Sequence, residues 1–212
     1  MRLFIAEKPA VANDIVKALG GDFTRKDGYF ESGTDIVTNC FGHIIESQPP
    51  ENYNPAYKLW SLQTLPLKLF PVKYQPKESS AHQVKTILEL LKRGDVTEIV
   101  HAGDPDDEGQ LLVDEVLEYA RNTKPVKRVL INDNTLPAVK KALANLKDNR
   151  DFKGMSLKAL ARSVADAVYG FSMTRAYTIP AKARGYQGVL SVGRVQTPVL
   201  GLIVKRTRAH QS

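Results

Sequence analysis

The chain has 212 residues, 42% apolar and 25% charged, a globular balance in which no run approaches the roughly 20 apolar residues of a membrane helix. A lone cysteine, Cys40, excludes an internal disulfide and a cysteine-built zinc site and fits a reducing cytosol. The net charge of +7 sits in the last third: residues 151–212 hold ten Lys or Arg against Asp151 and Asp166, while the first 150 balance 20 basic against 21 acidic residues. Such a segment is the electrostatic footprint of a polyanion binder.

The opening Arg2 to Ala6 is a short apolar run without a small-residue cleavage site, which reads as a strand and not as a signal peptide. Glu7-Lys8 follows, and Pro9 starts a helical pattern through Val11, Ile15, Val16 and Leu19 that stops at Gly20-Gly21. Residues 28–32 and 35–40, around Gly33-Thr34, predict a hairpin. Half of the twelve prolines fall between 49 and 77, so this stretch reads as an irregular excursion on the domain surface. A helix is expected from about Ser80, a strand over 97–101, a helix through Leu111 to Tyr119, a strand over 127–131 and a helix over 137–146. Strands alternating with helices predict a parallel sheet covered on both faces. From about Met155 the pattern turns helical: a first helix through Val168, a second over 173–183 interrupted near Pro180, and a third from a Ser191 cap through Val204. The domain boundary is expected near residue 150, where the charge changes.

The chemistry concentrates at Gly103-Asp104-Pro105-Asp106-Asp107-Glu108-Gly109, where a predicted strand gives way to a helix. Ligands bind at such carboxyl ends in parallel sheets. Four carboxylates in five residues require a counter-charge, and hard oxygens suit Mg²⁺ with phosphate. A solvated helix N-terminus would also welcome acids. Glu7 ends another predicted strand, with Lys8 beside it. A carboxylic acid to protonate a leaving oxygen, an ammonium to stabilise the transition state and a metal to organise phosphate together describe a phosphoryl-transfer site.

These residues resemble the TOPRIM domain of topoisomerases, bacterial primases and some nucleases. More narrowly, Arg2-Leu-Phe-Ile-Ala-Glu-Lys-Pro9, Gly42-His43, His101-Ala-Gly-Asp-Pro-Asp106 with Glu108-Gly109-Gln110, and Leu190-Ser-Val-Gly-Arg-Val-Gln-Thr-Pro198 resemble the topoisomerase III branch of the type IA family. The resemblance implies a Rossmann-like α/β TOPRIM domain over residues 1–150, and over 151–212 the first part of a helical domain that holds single-stranded DNA. By that pattern Glu7 is the general acid and base, Lys8 assists the scissile phosphate, and Asp104, Asp106 and Glu108 bind Mg²⁺, or Mn²⁺, with Glu7 a further metal candidate. Arg162, Asp166, Arg175, Ser191, Arg194 and Gln196 fall in the DNA-facing stretch, although Arg162 and Asp166 also suit a simple ion pair on one helix face. His43 lies near the site edge in such a fold, or serves as a buried structural histidine. The resemblance further implies a cytoplasmic, nucleoid-associated monomer that uses no ATP and has a helicase as a candidate partner of its intact parent.

Two positions depart from the pattern. Residue 107 is Asp where the family usually carries Arg, so the metal site is expected to survive with altered preference or Asp107 to face solvent. The nucleophilic tyrosine of the family lies in a later domain, and Tyr177 with Pro180 and Arg184 has the wrong spacing to replace it. The chain is therefore expected to be a fragment or a shortened relative that does not relax supercoils alone. A stand-alone TOPRIM nuclease and a non-catalytic single-strand-binding module remain alternatives.

Overall fold

The computed structural model describes residues 1–211. The chain folds into two compact units: Met1–Ser47 with Tyr74–Leu160, and Gln48–Lys73 with the chain from Ala161 onward.

In the first unit, strand β1 (Arg2–Ala6) leads into helix α1 (Pro9–Leu19), then strands β2 (Thr24–Lys26), β3 (Tyr29–Glu31), β4 (Asp35–Asn39) and β5 (Ile45–Ser47). After the excursion come β6 (Tyr74–Pro76), α2 (Ala81–Lys92), β7 (Glu98–Ala102), α3 (Asp107–Tyr119), β8 (Val126–Arg128), α4 (Leu136–Leu143) and β9 (Lys147–Asp148). The main sheet runs β2-β3-β4-β1-β7-β8-β9. Its centre is parallel, with β1 between β4 and β7 and β8 beyond β7. The β3–β4 hairpin and β9 supply antiparallel edges.

Successive strand side chains point to opposite faces, and β1 divides its apolar residues accordingly. Leu3 and Ile5 enter one core with Val84, Ile87 and Leu91 of α2 and Leu112, Val113 and Val116 of α3. Phe4 and Ala6 enter the other with Val11 and Ile15 of α1 and Val139 of α4. The expected α/β sheet with helices on both faces is therefore present, in mixed rather than wholly parallel form. Pro9 opens α1 where its missing N–H is harmless, and Gly20 ends that helix at φ +67°.

Four local expectations change. The proline-rich stretch holds short 3-10 turns at Pro50–Asn52, Pro55–Lys58 and Leu62–Thr64. It builds a small core of its own: Tyr57, Leu67 and Leu69 are buried, with Ala167 and Val168 packed against them. Residues 45–47 pair with 74–76 across that excursion, a partnership too distant for local periodicity to reveal. The two helices expected over 155–183 are one continuous helix, α5 (Lys153–Ala183), with Pro180 inside it. Gly170 does not break it, since a single helical Gly costs only about 1 kcal/mol. Helix α6 (Gln196–Gln211) begins later than expected, because residues 190–192 are tied by hydrogen bonds to α5. Leu190 N–H donates to Thr178 Oγ1 at 2.9 Å and Val192 N–H to Thr174 Oγ1 at 2.9 Å, so Ser191 caps nothing.

Candidate phosphoryl-transfer site and basic segment

Parallel pairing in the register Ala6 with Ala102 brings the ends of β1 and β7 to one sheet edge. Glu7 and Asp104 then emerge together. The Asp104 N–H donates to Glu7 Oε2 at 2.9 Å, and Lys8 Nζ lies 2.8 Å from Asp104 Oδ2. Two glycines permit this approach. A Cβ on Gly103 would sit 2.1 Å from the Gly109 carbonyl oxygen, and one on Gly109 would meet Asp104 O at 2.5 Å and Glu7 Oε2 at 2.8 Å. The N-terminus of α3 is thereby pressed against Glu7, where its unsatisfied N–H groups favour anions. A cleft of about 270 Å³ opens beside these groups, bordered by Lys8, Asp104, Pro105, Asn132 and Asn134.

The carboxylates of the acidic run have separate partners. Asp106 Oδ1 accepts from Gly109 N–H at 2.7 Å and caps α3. Glu108 Oε1 lies 3.0 Å from His43 Nε2, whose Nδ1 lies 2.6 Å from Glu115 Oε1. That contact with Glu115 raises the His43 pKa, while burial raises that of Glu115. Asp107 pairs with Lys158. Among the described residues no three His, Cys, Asp or Glu converge as a metal cage. Asp104, Asp106 and Glu108 offer the hard oxygens Mg²⁺ prefers, but in this arrangement they do not fit one ion.

Beneath the loop lies a polar lattice that the sequence reading missed. Arg128 is fully buried and donates to Gln110 Oε1 and to the carbonyls of His101, Gly103, Val129 and Asp104 at 2.6–3.3 Å. Burial pushes its pKa down to about 10. It is a fixed positive charge under the acidic loop. His101, also fully buried, donates from Nε2 to Gln110 O and accepts Gly103 N–H at Nδ1, which fixes the neutral tautomer. The available signal was Lys127-Arg128 within the otherwise apolar 126–131 stretch.

The second unit holds the other expected residues. Arg194 grips Asp166 through two contacts, Nε to Oδ1 at 2.5 Å and Nη2 to Oδ2 at 3.0 Å. Arg162 Nε stays 3.9 Å from Asp166 Oδ2 and is otherwise exposed. Ser191 and Gln196 are exposed. Arg175 differs from the DNA-facing expectation: it is 4% exposed, donates Nη1–H to Tyr57 O at 2.9 Å and sits 5.2 Å from the Trp60 ring centroid. Thr174 and Thr178, one helical turn apart, were also missed, although their spacing marks a single face of α5.

Comparison with known proteins places these features. The Toprim domain family matches residues 2–134, and a DNA topoisomerase domain family matches 151–212. The chain is 50% identical over 210 residues to DNA topoisomerase 3 of Vibrio cholerae and 48% identical over 211 residues to that of Salmonella typhimurium; each match covers 97% of this chain and 32% of the relative. DNA topoisomerase 3 of Staphylococcus aureus is 37% identical over 204 residues, which is 96% of this chain and 28% of that protein. The chain thus spans about a third of the length of these curated relatives. Full-length topoisomerase I from Thermotoga maritima shares the fold, with a TM-score of 0.62 at 20% identity over 97% of this chain and 30% of that one. The chain belongs to the Toprim family, with a Toprim domain followed by the opening of a bacterial DNA topoisomerase domain.

Proposed function

We propose that this chain supplies the acidic half of a type IA strand-cleavage centre together with part of its single-stranded DNA groove. The observation that carries the reading is the convergence of Glu7, Lys8 and Asp104 at the N-terminus of α3. Glu7 would exchange a proton with the 3′ oxygen of the scissile phosphodiester. Lys8 would leave Asp104 to meet a phosphate oxygen, and the α3 N–H groups would stabilise the same charge. The attacking tyrosine belongs to another part of the parent protein, where the ester it forms would conserve bond energy and make ATP unnecessary. Asp104, Asp106 and Glu108 would hold a divalent ion, Mg²⁺ or Mn²⁺, only after turning from the separate partners they have here, and the ion would then neutralise charge on the phosphate. Membership of the Toprim family supports that ion.

On the basic segment, Arg162, Arg194, Ser191 and Gln196 would contact the strand, and Asp166, beside them, would hold Arg194 until it does. The DNA topoisomerase 3 relatives support DNA as the partner. Two experiments test the reading. Fluorescence anisotropy should detect salt-sensitive binding of a single-stranded oligonucleotide by the 212-residue chain. In a parent protein that contains the chain and a distal tyrosine, Glu7→Gln should abolish relaxation of supercoiled DNA. Relaxation by this chain alone would overturn the assignment of the nucleophile to another segment.

A further inference from the structure

A second concavity opens on the β4 side of β1. It encloses about 560 Å³ between the start of α1, the β2–β3 turn, the end of β4 and the start of α2, within the size range of small-ligand sites. Its floor is built by Gln83, which is 5% exposed. The Gln83 Nε2 group donates to Gly28 O at 3.1 Å, Thr38 Oγ1 at 3.0 Å and Asn39 O at 2.7 Å, tying the turn to β4 and α2. Gly28 is at φ +82°, and a Cβ there would come within 2.6 Å of Gln83 Oε1, so the turn lies directly on this side chain.

The wall offers one uncommitted cation and one open aromatic face. Lys26 is occupied by Glu31 at 2.5 Å, and His82 lies 3.3 Å from Asp27. Arg25 is exposed and lies 6.0 Å from the Phe30 ring centroid, and among the described residues it has no ion pair. Phe41 is 59% exposed. It precedes Gly42, whose N–H donates to the Glu7 carbonyl at 3.2 Å, and Pro9, two residues after Glu7, also lines the pocket. An aromatic face and an arginine lining one pocket suit a base and its phosphate, the combination by which proteins hold single strands without reading sequence.

We propose that this pocket seats one nucleotide of the single strand, its base stacked on Phe41 and its phosphate on Arg25. The inference rests on the proposed function. It adds a strand-holding site outside the basic segment, on a unit whose charge is nearly balanced.

The test uses the 212-residue chain, a labelled oligo-dT single strand, and the exposed substitutions Phe41→Ala and Arg25→Ala, with thermal melts confirming unchanged folding. Phe41→Ala, which alters no charge, should weaken binding about tenfold. Arg25→Ala should reduce the slope of log K against log salt by about 0.7, the value of one single-strand phosphate contact. A strand carrying 5-iodouracil should photocross-link to Phe41. Binding by both variants with wild-type affinity and salt slope would overturn the pocket and leave the proposed function standing. Absence of single-strand binding by the wild-type chain would overturn both.

Discussion

Lys158 Nζ lies 2.5 Å from Asp107 Oδ2, joining the first turn of α3 to the first turns of α5. Asp107 is the first residue of α3, within the acidic run. Its charge is directed to Lys158 and neither to bulk solvent nor to a shared metal cage. Because Lys158 is 76% exposed, the pair stabilises by less than about 1 kcal/mol. A double-mutant cycle with Asp107→Ala and Lys158→Ala, followed by urea denaturation, should return a coupling of that size. Asp107→Arg alone should destabilise by a similar amount, and the reversed pair with Lys158→Glu should recover it. Zero coupling would mean that the contact is incidental.

Arg128 has a much larger expected effect. Its guanidinium is the donor for three loop and strand carbonyls at 2.6–2.8 Å, and its removal leaves them buried without a partner. Arg128→Leu should therefore cost about 3 kcal/mol or more. Arg128→Lys keeps the charge but cannot span five acceptors, and should fall between. Denaturation midpoints decide the order Arg, Lys, Leu.

His101 gives the protein an acid-side pH dependence. Burial and the nearby Arg128 charge lower its pKa below the ordinary histidine value near 6.5. In the folded state it resists protonation, whereas the unfolded chain accepts a proton as the pH falls below about 6.5. Its contribution is thus complete above that pH and is lost as the pH falls toward the depressed folded value. Chemical denaturation between pH 8 and 5 should show a steeper decline for the wild type than for His101→Asn. Parallel curves would assign the acid sensitivity to other groups.

Asp166 and Arg194 should respond oppositely to substitution in DNA binding. Asp166 is the only acid beyond Asp151 in the basic segment, and it holds Arg194 at 2.5 and 3.0 Å. Asp166→Asn frees Arg194 and raises the net charge by one, so single-strand affinity at low salt should rise by a few fold with a steeper salt slope. Arg194→Ala should weaken binding and flatten the slope. Equal losses in both variants would indicate that the pair acts as a positioned unit in contact with the strand.

Residues with local meaning were legible in the sequence. The β1 run, Pro9, the Gly20 stop and the Asp104 to Gly109 loop each carry short-range stereochemistry, and they placed Glu7 and Asp104 on one sheet edge correctly. Features that depend on distant partners were not legible. Strand β5 finds β6 only after 26 intervening residues, and β9 is two residues long and recognisable only from its pairing with β8. The continuity of α5 through Pro180 and the inward course of Arg175 depend on packing that periodicity does not encode. The converse error was local: Ser191 has the right identity for a cap, but Thr174 and Thr178 bind the backbone N–H groups of its neighbours.

The small core around Tyr57, Leu67 and Leu69 governs how the protein can be dissected. A gene fragment ending near residue 150 would retain residues 48–73 yet discard Ala167, Val168 and Ser172, whose Oγ accepts the buried Leu67 N–H at 3.0 Å. That fragment would present bare leucines and an orphaned amide to water and should be prone to aggregation. A soluble Toprim fragment would require two cuts, with residues 48–73 excised and a short linker joining the strands that flank them.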